Sequence, residues 1–267
     1  MTHPLDQATA LIETSKGFYQ GQISHEYANM VGPFGGAIAA VLINAVLKHP
    51  DRLGEPVALT VNFAGPLASE LFVVEAKIAR TNRSTQHWLI TLKQEDQIAI
   101  TATAMTAVRK TTWSTQELPC PDVPAANQVP VNDFGNVAAW VRNYQFKFTQ
   151  GLLTMNKAHA TNSSLSQLWV GDEPPRQLDY VSLTALSDVF FPRLFIRLQQ
   201  PAPAGTVSMT VYYHADQELL KAQGIKPLLA QARAQQFYNG YADQTAELFT
   251  EDGHLLVTTS QLVYYKA

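Results

Sequence analysis

The chain has 267 residues, 46% of them hydrophobic and 15% charged, with a formal net charge of −3. That composition supports a substantial core and excludes a disordered or fibrous protein. Basic residues are scattered, so the sequence offers nucleic acid no electropositive stripe to bind.

In chain order, residues 1–14 (MTHPLDQATALIET) lack the basic n-region and apolar h-region of a signal peptide, so a cytoplasmic protein is expected. Residues 17–24 alternate like a short strand. Residues 32–47 (GPFGGAIAAVLINAVL) predict an almost wholly apolar helix, which a sheet must cover. Its apolar run, 37–47, is well short of the roughly 20 residues that span a bilayer. Strands are predicted at 57–64, 71–79, 86–94 and 98–108, separated by turn-like stretches such as Thr81-Asn82-Arg83 and Glu95-Asp96-Gln97. Residues 116–131 (QELPCPDVPAANQVPV) then hold four prolines, each fixing φ and removing a backbone donor, and read as a linker between domains at 1–115 and 132–267. The only cysteine, Cys120, lies in this linker, where it can form no intrachain disulfide and suggests no metal cluster.

The second half repeats the first. Strands are predicted at 143–149 and 165–170, then a helix at 179–195 (DYVSLTALSDVFFPRLF) that Pro192 ends or kinks. Further strands are predicted at 206–215, 229–236, 245–250 and 255–265, with a hairpin turn at Glu251-Asp252-Gly253. VALTVNF at 57–63 reads against VSMTVYY at 207–213, and QEDQIAITATAMTAV at 94–108 against TEDGHLLVTTSQLVY at 250–264. The spacing between copies grows from 150 to 156 residues, which puts six extra residues near 218–226. Pro56 faces Thr206 and Met105 faces Gln261 in this alignment, so polar groups able to handle water occur only in the second copy. One strand, one buried helix and an antiparallel run, all doubled, is the pattern of an α+β double hotdog: two tandem hotdog domains, each with an antiparallel sheet wrapped around a buried helix.

Four segments occur in the matching order: FGGAIAAVLINAV after the first strand, LSDVF in the second helix, then TVSMTVYYH, then TEDGHLLVTTSQ. On these the chain resembles, over nearly its whole length, the double-hotdog acyl-CoA thioesterases related to bacterial acyl-CoA thioesterase II. The resemblance implies hydrolysis of an acyl-CoA with no metal or organic cofactor. It also implies that Asp188, Thr206 and Gln261 converge on a water that attacks the thioester. The connection before Thr206 is shorter than in that family and the residues between Thr206 and Tyr212 differ, so Ser208 and Thr210 are alternatives to Thr206.

The residues themselves leave alternatives open. Asp188 sits amid Leu186, Val189, Phe190 and Phe191, where a carboxylate is costly unless hydrogen-bonded or solvated; a nearby water or an exposed helix face would satisfy it. Alternation puts Gln261 on one face with Thr259 and Val263, and that face can be site or solvent. Thr206, following Gly205, can serve the site or simply bond to local backbone. Gly35 and Gly36 can offer backbone N–H groups to a substrate oxyanion, or permit tight helix packing. Tyr212 and His214 are candidates to line the cleft, whereas His87 beside Trp88 reads as structural. No G-x-S-x-G elbow, H-E-x-x-H motif, paired Cys/His spacing or Gly-rich phosphate loop is present. Hydratases of the same fold carry a His shortly after the Asp, where this chain has Val189, Phe190, Phe191, Pro192 and Arg193. A non-catalytic acyl-CoA or fatty-acyl binding protein remains the rival reading. Exposed sheet edges predict a homodimer.

Overall fold

The computed structural model describes residues 2–68 and 70–266. A short helix α1 (Pro4–Ala8) leads into the hairpin β1 (Ile12–Ser15) and β2 (Phe18–Gln22), the long helix α2 (Gly35–Lys48), and strands β3 (Glu55–Phe63), β4 (Leu71–Thr81), β5 (Thr85–Gln94) and β6 (Gln97–Ala107). Beyond the linker come β7 (Tyr144–Gln150), β8 (Ser166–Asp172), α3 (Tyr180–Leu186), α4 (Arg193–Leu198), β9 (Ala204–Tyr213) and α5 (Gln217–Gln223). The chain closes with β10 (Leu228–Arg233), β11 (Phe237–Tyr238), β12 (Tyr241–Phe249) and β13 (Leu255–Tyr265).

All strands join one antiparallel sheet in the order β1-β2-β4-β5-β6-β3-β9-β13-β12-β10-β8-β7, with β11 added against β12. The second six strands mirror the first six, so the expected double hotdog is what forms. The duplicated strands meet each other at the centre: Leu59 lies opposite Val211, Thr60 opposite Thr210 and Val61 opposite Met209. A pseudo-two-fold axis therefore passes between Thr60 and Thr210, whose hydroxyls are 3.1 Å apart. Alternation sends Leu59, Val61, Met209 and Val211 inward to a fully buried core, while Thr60 and Thr210 face the outer side.

Helices α2 and α3 pack together on the inner face. Alanine, leucine and isoleucine make α2 apolar on most sides, and ten of its 14 residues are buried. It stops at Lys48 because Pro50 disfavours helical backbone at His49, whose ψ is 126°. The predicted helix over 179–195 is in fact two. α3 ends at Leu186, where the Ser187 hydroxyl donates to the Thr184 carbonyl, and Pro192 instead caps the start of α4. A side chain bonding back to the preceding turn, with a proline ahead, breaks the helix at that point. The six-residue excess of the second copy lies at α5, ended by Gly224.

The proline-rich segment is a strap on the second half. Val123, Ala126 and Val129 cover Trp169, Leu229 and Phe249 on the outer side of β8, β10 and β12. Trp169 Nε1 donates to the Pro124 carbonyl, and Gln116 bonds both Gly253 and Leu255. Cys120 sits half-buried in this strap near Gly253, and burial pushes its thiol pKa up, which disfavours the thiolate a nucleophile needs.

Candidate active site

The N-terminus of α2 carries no side-chain cap on its Phe34 N-cap residue, so its first amides need a partner from elsewhere. Asp188 supplies one. It lies just past the end of α3, in a turn held by its own N–H to the Ala185 carbonyl at 3.2 Å, and the Gly36 N–H hydrogen-bonds to its carboxylate. A carboxylate at a helix N-terminus is favoured by the helix dipole as well as by the amide. Both glycines are required by this approach. A β-carbon on Gly35 would lie 2.9 Å from Asp188 Oδ2, and one on Gly36 would lie 2.6 Å from the Ala185 carbonyl oxygen.

Asp188 is only 8% exposed. Gln261 Nε2 donates to Asp188 Oδ1 at 2.7 Å, and Thr206 Oγ1 donates to Gln261 Oε1 at 3.1 Å. Thr206 therefore fixes which end of the amide faces the carboxylate. Burial raises the Asp188 pKa to about 7, against the bonds from Gln261 and Gly36, which pull it down. A carboxyl balanced between acid and base at neutral pH, with a hydroxyl and an amide aligned beside it, can exchange a proton with a water.

The three residues come together because of a bulge. Gln261, Thr259 and Val263 face inward on β13, and Met209 and Val211 face inward on β9. Strict alternation from Met209 would turn Thr206 outward. The register shifts between Leu262 and Val263, so Ser208 lies opposite Leu262 and Thr206 opposite Val263, leaving Val207 as the extra residue. This bulge re-aims the Thr206 side chain to the inner face. Ser208 and Thr210 stay on the outer side and are excluded as its substitutes.

The first copy has the same bulge, between Pro56 and Ala58, but proline leaves no hydroxyl there. The expected counterpart of Gln261 needs correction. Ala104 lies opposite Leu59 as Gln261 lies opposite Met209, and Leu59 and Met209 are equivalent, so Ala104 rather than Met105 occupies the Gln261 position. One additional residue in the β12–β13 turn shifts the alignment, and a one-residue slip exchanges the faces of a strand. The asymmetry remains, with alanine in place of the amide.

Two substrate-lining expectations are also corrected. Tyr212 is 51% exposed and lies opposite Ala58 and Thr258 on the outer face. His214 bonds to the Thr258 hydroxyl on that side, so neither reaches Asp188. The Gly36 N–H is directed at Asp188. His87 is exposed, and Trp88 is a core residue bonded to Thr106, in keeping with a structural pair.

Other polar groups here had no legible signal. Gln244 lies directly opposite Gln261 and accepts from Arg193 Nε at 3.0 Å. Deeper in, Tyr144 and Asp172 face each other across β7 and β8, and Tyr27 packs edge-on against Tyr144. Burial pushes Asp172 up to about 6, partly offset by the Ser182 hydroxyl bonded to it at 2.5 Å. Among the described residues, no group of three or more His, Cys, Asp or Glu could hold a metal ion, and no helix is long and apolar enough to cross a membrane.

Two family models match the chain: an acyl-CoA thioesterase N-terminal domain over residues 24–108 and an acyl-CoA thioesterase C-terminal domain over 119–265. No curated protein matches. Among solved structures, a hot dog fold protein of unknown function from Alicyclobacillus acidocaldarius is 44% identical, covering 100% of this chain and 99% of its own, with a TM-score of 0.95. A Thermobifida fusca protein assigned provisionally as a thioesterase II is 18% identical at a TM-score of 0.84, covering 99% of this chain and 98% of its own. An acyl-CoA thioesterase II from Mycobacterium marinum is 15% identical at 0.75, covering 98% of both chains. The last two show the shared fold.

Proposed function

The chain belongs to the acyl-CoA thioesterase family, and from that premise we propose that it hydrolyses an acyl-CoA thioester to free CoA and a carboxylic acid with Asp188, Gln261 and Thr206 directing the water. The hydrogen-bonded chain from Thr206 through Gln261 to a buried Asp188 is the observation that carries this reading. Asp188 takes a proton from water as the water oxygen bonds to the thioester carbon. The tetrahedral intermediate then expels the CoA sulfur, which takes up that proton. Thr206 Oγ1 accepts a hydrogen bond from the water's second O–H, which stays on the attacking oxygen, while the free N–H of Gln261 and the Gly35 N–H are the donors left for the developing oxyanion. No covalent enzyme intermediate is required.

A thiol-release assay across a panel of acyl-CoAs tests the proposal. Release of CoA thiol that follows enzyme concentration supports it, whereas tight acyl-CoA binding without release would favour a binding protein. Within the site, Gln261→Leu removes the donor to Asp188 and leaves the Thr206 hydroxyl unpaired; kcat is expected to fall about 100-fold. Thr206→Val frees the Gln261 amide to flip, and a loss of about tenfold is expected, in line with one neutral hydrogen bond of about 1.4 kcal/mol. Equal losses in the two variants would contradict the assigned order of the chain.

A further inference from the structure

Beyond Gln261 on the inner face, toward β11, lies an open cleft of about 400 Å³. Leu194 and Leu198 of α4 and Phe237 of β11 form its apolar walls, and Thr161 and Asn162 form an exposed rim. Arg197 lines it between wall and rim. The Thr161 N–H donates to the Arg197 carbonyl at 3.1 Å, which ties the rim to the helix.

Arg197 stands out by what it lacks. Its guanidinium lies 5.9 Å above the Phe237 ring, Nε is buried without a hydrogen-bond partner, and it makes no ion pair among the described residues. Arg193, one helical turn earlier, is the internal comparison. Its guanidinium donates to the carbonyls of Phe191, Ser164 and Ala232, to Gln244 Oε1 and to the Ser166 hydroxyl. The protein gives every guanidinium nitrogen of Arg193 an acceptor of its own, whereas among the described residues it gives Arg197 Nε none. A partly buried guanidinium without acceptors is costly, and a planar fork of donors suits a phosphate or carboxylate.

The cleft is also in reach of the proposed chemistry. Phe237 lies opposite Ala242, Ala242 lies opposite Val263, and Val263 is two residues along β13 from Gln261. Strand spacing and rise put Phe237 about 12 Å from Gln261 on the same face. The geometry points to an anion-binding subsite of the active site, in which Arg197 takes an anionic group of the substrate while Phe237, Leu194 and Leu198 pack its apolar neighbour. This rests on the thioesterase reading for its substrate. The anion is either a phosphate of the CoA moiety, reached along the pantetheine arm, or a terminal carboxylate on the acyl group.

Arg197→Gln, with Arg197→Lys as the variant that keeps the charge, tests the subsite once both are shown to fold by thermal melting. Three thioesters of matched acyl-chain length are compared: a plain acyl-CoA, the N-acetylcysteamine ester of the same acyl group, which lacks all phosphates, and an acyl-CoA whose chain ends in a carboxylate. A phosphate subsite predicts that Arg197→Gln lowers the kcat/KM ratio of acyl-CoA to N-acetylcysteamine ester at least tenfold, with partial recovery in Arg197→Lys. A carboxylate subsite predicts the tenfold fall only in the ratio of carboxylated to plain acyl-CoA. Equilibrium binding of CoA and of the carboxylated acyl-CoA to Asp188→Asn, with and without Arg197→Gln, reads the same subsite without turnover. A protein that fails to hydrolyse any thioester but binds one of these at least tenfold more weakly without Arg197 would overturn the enzyme and keep the subsite. Ratios and affinities unchanged in both arms would overturn the subsite.

Discussion

Asp188→Asn is expected to lower kcat about 1,000-fold while leaving the fold intact and more stable at alkaline pH. Losing a positioned general base typically removes 100- to 10,000-fold, and asparagine keeps the side-chain shape and an acceptor for Gln261. In the parent protein kcat/KM should rise with pH and reach half its plateau near pH 7, because burial holds the Asp188 carboxyl protonated up to about that point. The stability effect has the opposite sense. A carboxyl whose pKa is raised on folding stabilises the fold fully at low pH, and that contribution is lost as the pH rises through about 7. A rise of about three pK units is worth about 4 kcal/mol. Asparagine escapes this loss but gives up the carboxylate bond to Gly36, so a net gain of roughly 2 kcal/mol is expected at pH 8.5 and none at pH 3. Urea midpoints at the two pH values measure it. Full activity in Asp188→Asn would end the catalytic assignment, and an unchanged midpoint at pH 8.5 would show that burial imposes no such cost.

Gly36→Ala is expected to damage stability and activity together. The new β-carbon would meet the Ala185 carbonyl oxygen and the Phe34 ring at 2.6 Å, so α2 and α3 must separate or Phe34 must leave its stack on Trp140. Overpacking of this kind costs about 2–3 kcal/mol, which for a chain of this size lowers Tm by roughly 4–12 °C. The Ala185 carbonyl also accepts the Asp188 N–H, so displacing it moves the carboxylate. A misplacement of about 1 Å can cost 100-fold in rate, and we expect kcat to fall by that order in the fraction that remains folded. Gly205→Ala is the control, since among the described residues nothing beyond its chain neighbours lies within 4 Å of a β-carbon there. Calorimetry with active-site-normalised kinetics should show Gly36→Ala impaired in both respects and Gly205→Ala in neither. A Gly36→Ala protein with parental Tm would mean that the helices are not in the close contact argued for.

How legible the molecule was depended on the range of the interactions involved. Strands such as β5, β6 and β13 were readable to within a residue or two, because one face is core and the other is not. Helix α2 was readable because it is apolar nearly all round. The end of α3 was not, since Ser187 and Thr184 look helical until the serine hydroxyl bonds backwards. The outward facing of Tyr212 and His214 was hidden because aromatic and imidazole groups suit either side of a strand. Nothing in the linker's composition showed that it lies as a strap over Trp169 and Phe249.

The sequence by itself determined the doubled architecture, the two apolar helices and the residue types that separate the copies, because these follow from local periodicity and from residues present or absent in the chain. It also pointed to Asp188, Thr206 and Gln261 through the resemblance they carry. Only the tertiary structure decided that they form one hydrogen-bonded chain. That outcome depends on the bulge at Val207, on the unsatisfied N-terminus of α2 from the other half, and on the turn after α3 delivering a carboxylate to it. Each is a pairing between segments far apart in the chain, set by backbone hydrogen-bond balance and close packing rather than by local pattern. The same reason explains why Ala104, and not Met105, stands where Gln261 does, and why Arg197 Nε is left with no acceptor among the described residues.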